Sequence, residues 1–179
     1  MTLSNTLIPL SDRAEHVGVI RQSSDIFPHL LSRISAHKKA SYLIRYSSCS
    51  STNLTSIWAN IRAEMCFCTP VLLSGLSSLV INTTNMNFLD TYYKGSIKKI
   101  LCLPTDTPDP FVYLVSGSLP ITALIHLRQL SLIIQLNQLG PKHTSFIHAV
   151  LTLTSIPIPK WSWWHNVSMM CQKYDIPPP

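Results

Sequence analysis

The chain has 179 residues, enough for one domain with a sizeable core and too few for two comfortable ones. Hydrophobic residues make up an ordinary 46%, but charged residues only 12%, about half the ~25% of soluble domains, which excludes a surface evenly coated in Lys and Glu. Fourteen Lys and Arg against eight Asp and Glu leave a net charge of +6, a balance that suits nucleic acid or an acidic surface, although no dense basic block occurs beyond the pairs Lys38-Lys39 and Lys98-Lys99.

In chain order, EHVGVI (15–20) has β-branched residues about a glycine and predicts one short strand. Pro28 marks a helix start, since its fixed φ and missing N–H cost nothing in a first turn. Leu31, Ile34, His37 or Lys38, and Ser41 or Tyr42 would line the packed side of that helix, which runs to about Tyr46, while Arg33, Lys38, Lys39 and Arg45 would form a basic side. SSCSSTN (47–53) reads as a loop, with Thr52 or Asn53 capping a second helix. That helix extends from about Leu54 to Phe67 and would bury Leu54, Ile57, Trp58 and Ile61. VLLSGLSSLVI (71–81) reads as a helical core segment, shorter than the ~20 residues that a membrane span requires, so no span is expected.

Thr84 or Asn85 would open the next helix, with Phe88, Leu89, Tyr92 and Ile97 on an apolar side and Lys94, Lys98 and Lys99 on a basic one. LPTDTPDP (103–110) is a hard stop. A long helix follows, with Ser118 as candidate cap, Pro120 in the first turn and Gly140-Pro141 as the end. At about 100° per residue it carries two apolar stripes: Leu127, Leu130 and Ile134 on one, Ile121, Ile125, Leu132 and Leu136 on the other. Such a helix would lie between two layers, with His126 and Arg128 at the seams. Helices at about 144–154 and 161–174 complete a mainly α, irregular array of about six helices with a short N-terminal strand. In WSWW (161–164), Trp163 shares a side with Val167 and Met170, and docking of a terminal helix accounts for it more simply than base stacking.

Chemistry is sparse. Asp106 and Asp109 lie three apart in a proline-locked loop, where capping and turn formation explain them. The histidines are scattered, and no G-x-S-x-G, H-E-x-x-H or phosphate-cradling loop occurs among only five glycines. No catalytic residue, metal ligand or cofactor is expected. The five cysteines form no C-x-x-C and read as free thiols in a reducing setting. With no secretory signal at the N-terminus, cytoplasm or nucleus is expected over secretion.

Five segments in order, AEHVGVIR, PHLLSRISAHKKA, TPVLLSGLSSLV, VYLVSGSLPITALIHLRQLSL and SWWHNVSMMCQKYDIPPP, resemble the C-terminal part of reverse transcriptases of LINE-type (non-LTR) retrotransposons. The resemblance runs from near Ala14 to the end. It implies a last palm strand within 1–27, a thumb-like helical segment at 28–82 and a helical C-terminal extension at 83–179. It also implies a thumb that grips duplex RNA or DNA through phosphate, with Arg33, His37, Lys38 and Lys39 at matching positions. Adding Arg45, these are the candidate nucleic-acid contacts. The family's catalytic Y-x-D-D is nowhere in these residues, its basic thumb loop is replaced by IRYSSCSSTN, and Ile133-Ile134-Gln135 stand where it has phenylalanine-glycine. The expectation is therefore a truncated or decayed, non-catalytic copy with at most weak, sequence-independent affinity for nucleic acid. The alternatives are a helical module binding protein through its under-charged surface, and a translated relic with no function of its own.

Overall fold

A computed structural model describes residues 26–50, 56–138 and 163–176 together with four short strands, and side chains over 26–44, 56–135, 163 and 165–176. The chain is mainly helical, as expected. At the N-terminus β1 (Thr2–Leu3) pairs with β2 (Thr6–Leu7), and β3 (Arg13–His16) pairs antiparallel with β4 (Val19–Gln22), His16 opposite Val19. The single strand expected over 15–20 is thus a hairpin. Its strands are two residues apart, the commonest hairpin spacing.

Helix α1 (Phe27–Ser50) begins where expected, with the N–H groups of His29 and Leu30 donating to the Ile26 carbonyl and Pro28 in the first turn. It does not stop at Tyr46: Ser47 to Ser50 remain helical, where a loop was expected. The cap of α2 (Ile57–Ala63) is Ser56, whose Oγ accepts from the Trp58 N–H at 3.3 Å. This helix continues without a break through a π-helical turn (Glu64–Cys68) into α3 (Thr69–Leu73). Pro70 explains the π turn. It has no N–H to offer the carbonyl four residues back, and its ring would clash there. Thr69 instead donates its N–H five residues back, to Glu64, and its hydroxyl donates to the same carbonyl at 3.2 Å. Counting α2–α3 as one rod, the described residues hold six helices.

Ile61 is buried, but Ile57 and Trp58, expected beside it, are exposed, as is Phe67. Beyond α3, Gly75 in left-handed geometry (φ 77°) leads into a 3-10 turn, Leu76–Ser78. The segment 71–81 is therefore a broken core element whose Leu72, Leu73 and Leu76 are buried. Among the described residues no single helix is long and apolar enough to cross a membrane.

Helix α4 (Thr83–Ile100) starts one or two residues earlier than expected and is capped by Asn82, whose Oδ1 accepts from the Asn85 N–H at 2.8 Å. Asn82→Ala should cost about 1 kcal/mol in a urea melt, with Asn82→Ser recovering most of it; an unchanged midpoint would show that the cap is dispensable. Helix α5 (Asp109–Ser116) was not expected, because Pro108 and Pro110 read only as breakers. Both lie in or before the first turn, where proline is tolerated, and Gly117 (φ 66°) supplies the left-handed C-terminal stop. Helix α6 (Ile121–Gln138) starts on the Pro120 carbonyl, which accepts from the Leu124 N–H. Ser118, the expected cap, instead pairs with Ser116, Oγ to Oγ at 3.0 Å. Helix α7 (Trp163–Lys173) follows.

One cluster of buried residues unites these elements: Leu30 and Ile34 of α1, Leu72 of α3, Leu89, Tyr93 and Ile97 of α4, Val112 of α5, and Ile121 and Ile125 of α6. Residues from both 28–82 and 83–179 thus share one core. A second cluster docks α7, with Val167, Met170 and Cys171 against Ile133 of α6 and the Trp163 Nε1–H donating to the Ser77 carbonyl at 2.9 Å. On α6 the buried stripe is Ile121, Ile125, Gln129 and Ile133, while Leu127 and Ile134 are half exposed; of the second expected stripe Ile121 and Ile125 are buried, Leu132 is half-buried and the Leu136 side chain lies outside the described residues. The expected helix at 144–154, the Gly140-Pro141 stop and Trp161 lie outside the described residues, as do the side chains of Arg45 and Trp164.

Candidate nucleic-acid interface

The buried stripe of α1 is Leu30, Ile34, His37 and Ser41, one turn apart along one side. Leu31, expected in that stripe, is 45% exposed. His37, expected among the nucleic-acid contacts, is fully buried. Its Nδ1 lies 2.8 Å from the Tyr92 hydroxyl and its Nε2 lies 2.9 Å from Glu64 Oε1, close enough to pair though not aligned as a hydrogen bond. It therefore cannot reach a phosphate. The reason is a partner that spacing on α1 could not reveal: a carboxylate brought in by the π turn. Of the remaining candidates, Arg33 is half-buried with its Nε enclosed, whereas Lys38 and Lys39 are exposed. Adjacent residues point about 100° apart on a helix, so Lys38 and Lys39 do not share a face. The Arg45 side chain lies outside the described residues.

Glu64 is the centre of a polar network between α1, the π turn and α4. The Ser41 hydroxyl donates to its carboxylate, 2.9 Å from each oxygen, and the Ser96 hydroxyl donates to Oε1 at 3.2 Å. Burial pushes the Glu64 carboxyl upward, but the close His37 imidazole, with hydrogen bonds from Ser41 and Cys68 adding to it, outweighs burial and holds it below its ordinary value. Burial, then the Arg33 charge, lowers His29, which is also fully enclosed on α1.

In front of this network lies a groove between α1 and α4, a cavity of about 380 Å³. Its rim holds Lys38 and Tyr42 from α1 and Lys99 from α4, and its floor holds Ser41, Ser96 and Gly95. Lys38 Nζ sits 5.7 Å from the centre of the Tyr92 ring, which steadies the ammonium at the mouth. Of the basic residues of α4, only Lys99 lines the groove. Lys94 is clamped between Asp90 and Asp109 at 2.8 Å each, and Lys98 donates to the Thr105 carbonyl at 2.8 Å. Hydrogen bonding to Asp109, then Asp90, raises the Lys94 ammonium, and the same contact with Lys94 lowers Asp109. Asp109 thus ties α5 to α4 through an ion pair, where a capping or turn-forming role was expected. His126 sits at a seam, as expected, its Nδ1 2.8 Å from the Tyr174 hydroxyl. Among the described residues no group of three or more His, Cys, Asp or Glu is placed to hold a metal ion.

Sequence reasoning missed Glu64, Tyr42, Ser96 and Lys99 as members of one site, because they come from three elements up to 57 positions apart. The one local signal was the four-residue spacing of His37 and Ser41. No protein-family model, curated protein or solved structure matches this chain.

Proposed function

We propose that this chain is a non-catalytic helical module that binds nucleic acid weakly and without reading sequence, corresponding to the thumb and C-terminal extension of a LINE-type reverse transcriptase. The observation that carries the reading is the pair Lys38 and Lys99, delivered by two different helices to one groove on a chain of net charge +6. Lysines so placed contact phosphate as point charges and position a strand without discriminating bases. The five ordered segments of resemblance supply the family.

Binding of a labelled primer–template duplex, followed by fluorescence anisotropy between 50 and 200 mM salt, tests it. Affinity should fall steadily as salt rises, and Lys38→Gln with Lys99→Gln should make the log–log slope shallower by about 2, roughly one per lost phosphate contact. Affinity that ignores salt overturns the reading. A protein-binding module is the second reading, favoured by Leu114 at 80% exposed, with Ile134 and Leu127 also open on the adjoining α6. It predicts salt-insensitive association and no affinity for duplex.

A further inference from the structure

Residues 110–135 carry a single charge, Arg128, and part of their apolar surface stays open. Leu119, before α6, and Leu127 and Ile134 on it are each about half exposed. Leu127, Leu130 and Ile134 follow one another along one side of α6. Between that side and the end of α7 lies a cleft of about 320 Å³, walled by Leu119, Leu127, Leu130 and Ile176. Its two polar side chains, His126 and Tyr174, are closed on each other at 2.8 Å, so the cleft asks no hydrogen bond of an occupant. A protein partner ordinarily gains about one hydrogen bond per 100–200 Å² of interface, whereas hydrocarbon needs none.

The charge beside the cleft has one sign in excess. Lys173 is exposed at its rim, with Nζ 5.6 Å from the centre of the Tyr174 ring. Over residues 110–176 four bases, Arg128, Lys142, Lys160 and Lys173, stand against one acid, Asp175. Helix α5 and residues 121–135 of α6 are together long and apolar enough to cross a membrane, but the pair is bent by 57°. It also buries Val112, Ile121, Ile125 and Ile133 against the rest of the chain. Only its outer side can meet lipid, which is the geometry of a helix that lies on a bilayer and does not cross it.

We propose that the outer side of α6 and the end of α7 rest on an anionic lipid bilayer, with Leu119, Leu127 and Ile134 among the acyl chains and Lys173 at the lipid phosphates. The surface is separate from the groove between α1 and α4, so it stands whether or not that groove binds nucleic acid.

Cosedimentation of the full chain with vesicles tests it, using phosphatidylcholine alone or mixed with phosphatidylglycerol. The mixed vesicles should carry the chain down and the neutral ones should leave most of it in solution. Lys173→Gln should weaken partitioning about 5-fold, the effect of one basic residue at an anionic surface. Leu127→Ser with Ile134→Ser should weaken it by about 10- to 100-fold, as two half-exposed side chains no longer enter hydrocarbon. An unaltered thermal melt of that double variant checks its fold, and its affinity for a primer–template duplex should not change. Absence of binding to either vesicle overturns the inference, as does binding that the double variant leaves intact. Equal binding to neutral and mixed vesicles overturns the choice of an anionic surface. Self-association that the double variant abolishes, without vesicle binding, overturns the inference and gives this side to a second copy of the chain.

Discussion

Replacing Glu64 with alanine should destabilise the chain by about 3–5 kcal/mol, the scale of a buried ionic network that loses one member. Glu64 is 4% exposed, and its carboxylate holds Ser41, Ser96 and His37 together across α1, the π turn and α4. Without it three buried polar groups lose a partner at once. Domains typically have only 5–15 kcal/mol of stability, so the variant should melt well below the parent in urea or on heating. Replacing the whole set together, Glu64→Leu and His37→Leu with Ser41→Ala and Ser96→Ala, should recover much of the loss, because apolar side chains of similar volume leave nothing unsatisfied. A Glu64→Ala variant that melts with the parent would show that the network contributes nothing.

The same residue governs the response to acid. Glu64 titrates below its ordinary value of 4.5 in the folded state. Its stabilisation is therefore complete above that value and is lost as pH falls through the lower, folded one. His29 and His126 are both lowered from 6.5, chiefly by burial. The unfolded chain thus takes up their protons first, and stability declines from about pH 6.5 downward. Melting midpoints against pH should fall in two stages, and Glu64→Ala should flatten the second while leaving the first.

Leu30→Ala should cost about 2–5 kcal/mol, the range for a buried leucine that leaves a cavity, whereas its neighbour Leu31→Ala should stay within about 1 kcal/mol. Leu30 is fully enclosed against the central cluster, and Leu31 is 45% exposed. Paired urea melts of the two variants read the rotation of α1 directly. Equal losses would mean that the helix is turned from the orientation described.

That contrast marks the limit of what the residues disclose. Some helix boundaries were legible, because Pro28 at the start of α1 and the prolines just after α4 act through their own backbone geometry. Rotation about each helix axis was not. Leucines at 30 and 31 and histidines at 29 and 37 make α1 apolar or ambivalent on several sides, and only the position of Glu64 decides which side turns inward. Ile57 and Trp58 likewise face solvent, although periodicity had placed them with Ile61. Helix α5 was concealed by its own prolines. Docking of α7 through Trp163, Val167 and Met170 was legible, since a short helix with one apolar side has a single way to pack.

Gly95 lies in the interior of α4, where glycine is about 0.5–1 kcal/mol worse than alanine, yet nothing comes within 4 Å of the place where its Cβ would be. A methyl group would therefore fit and should strengthen the helix, so packing does not require the glycine. What its bareness does is set the depth of the groove between Lys38 and Lys99. Position 95 is thus a stopper point, where a bulky side chain could occlude the cleft while leaving the core beneath it intact.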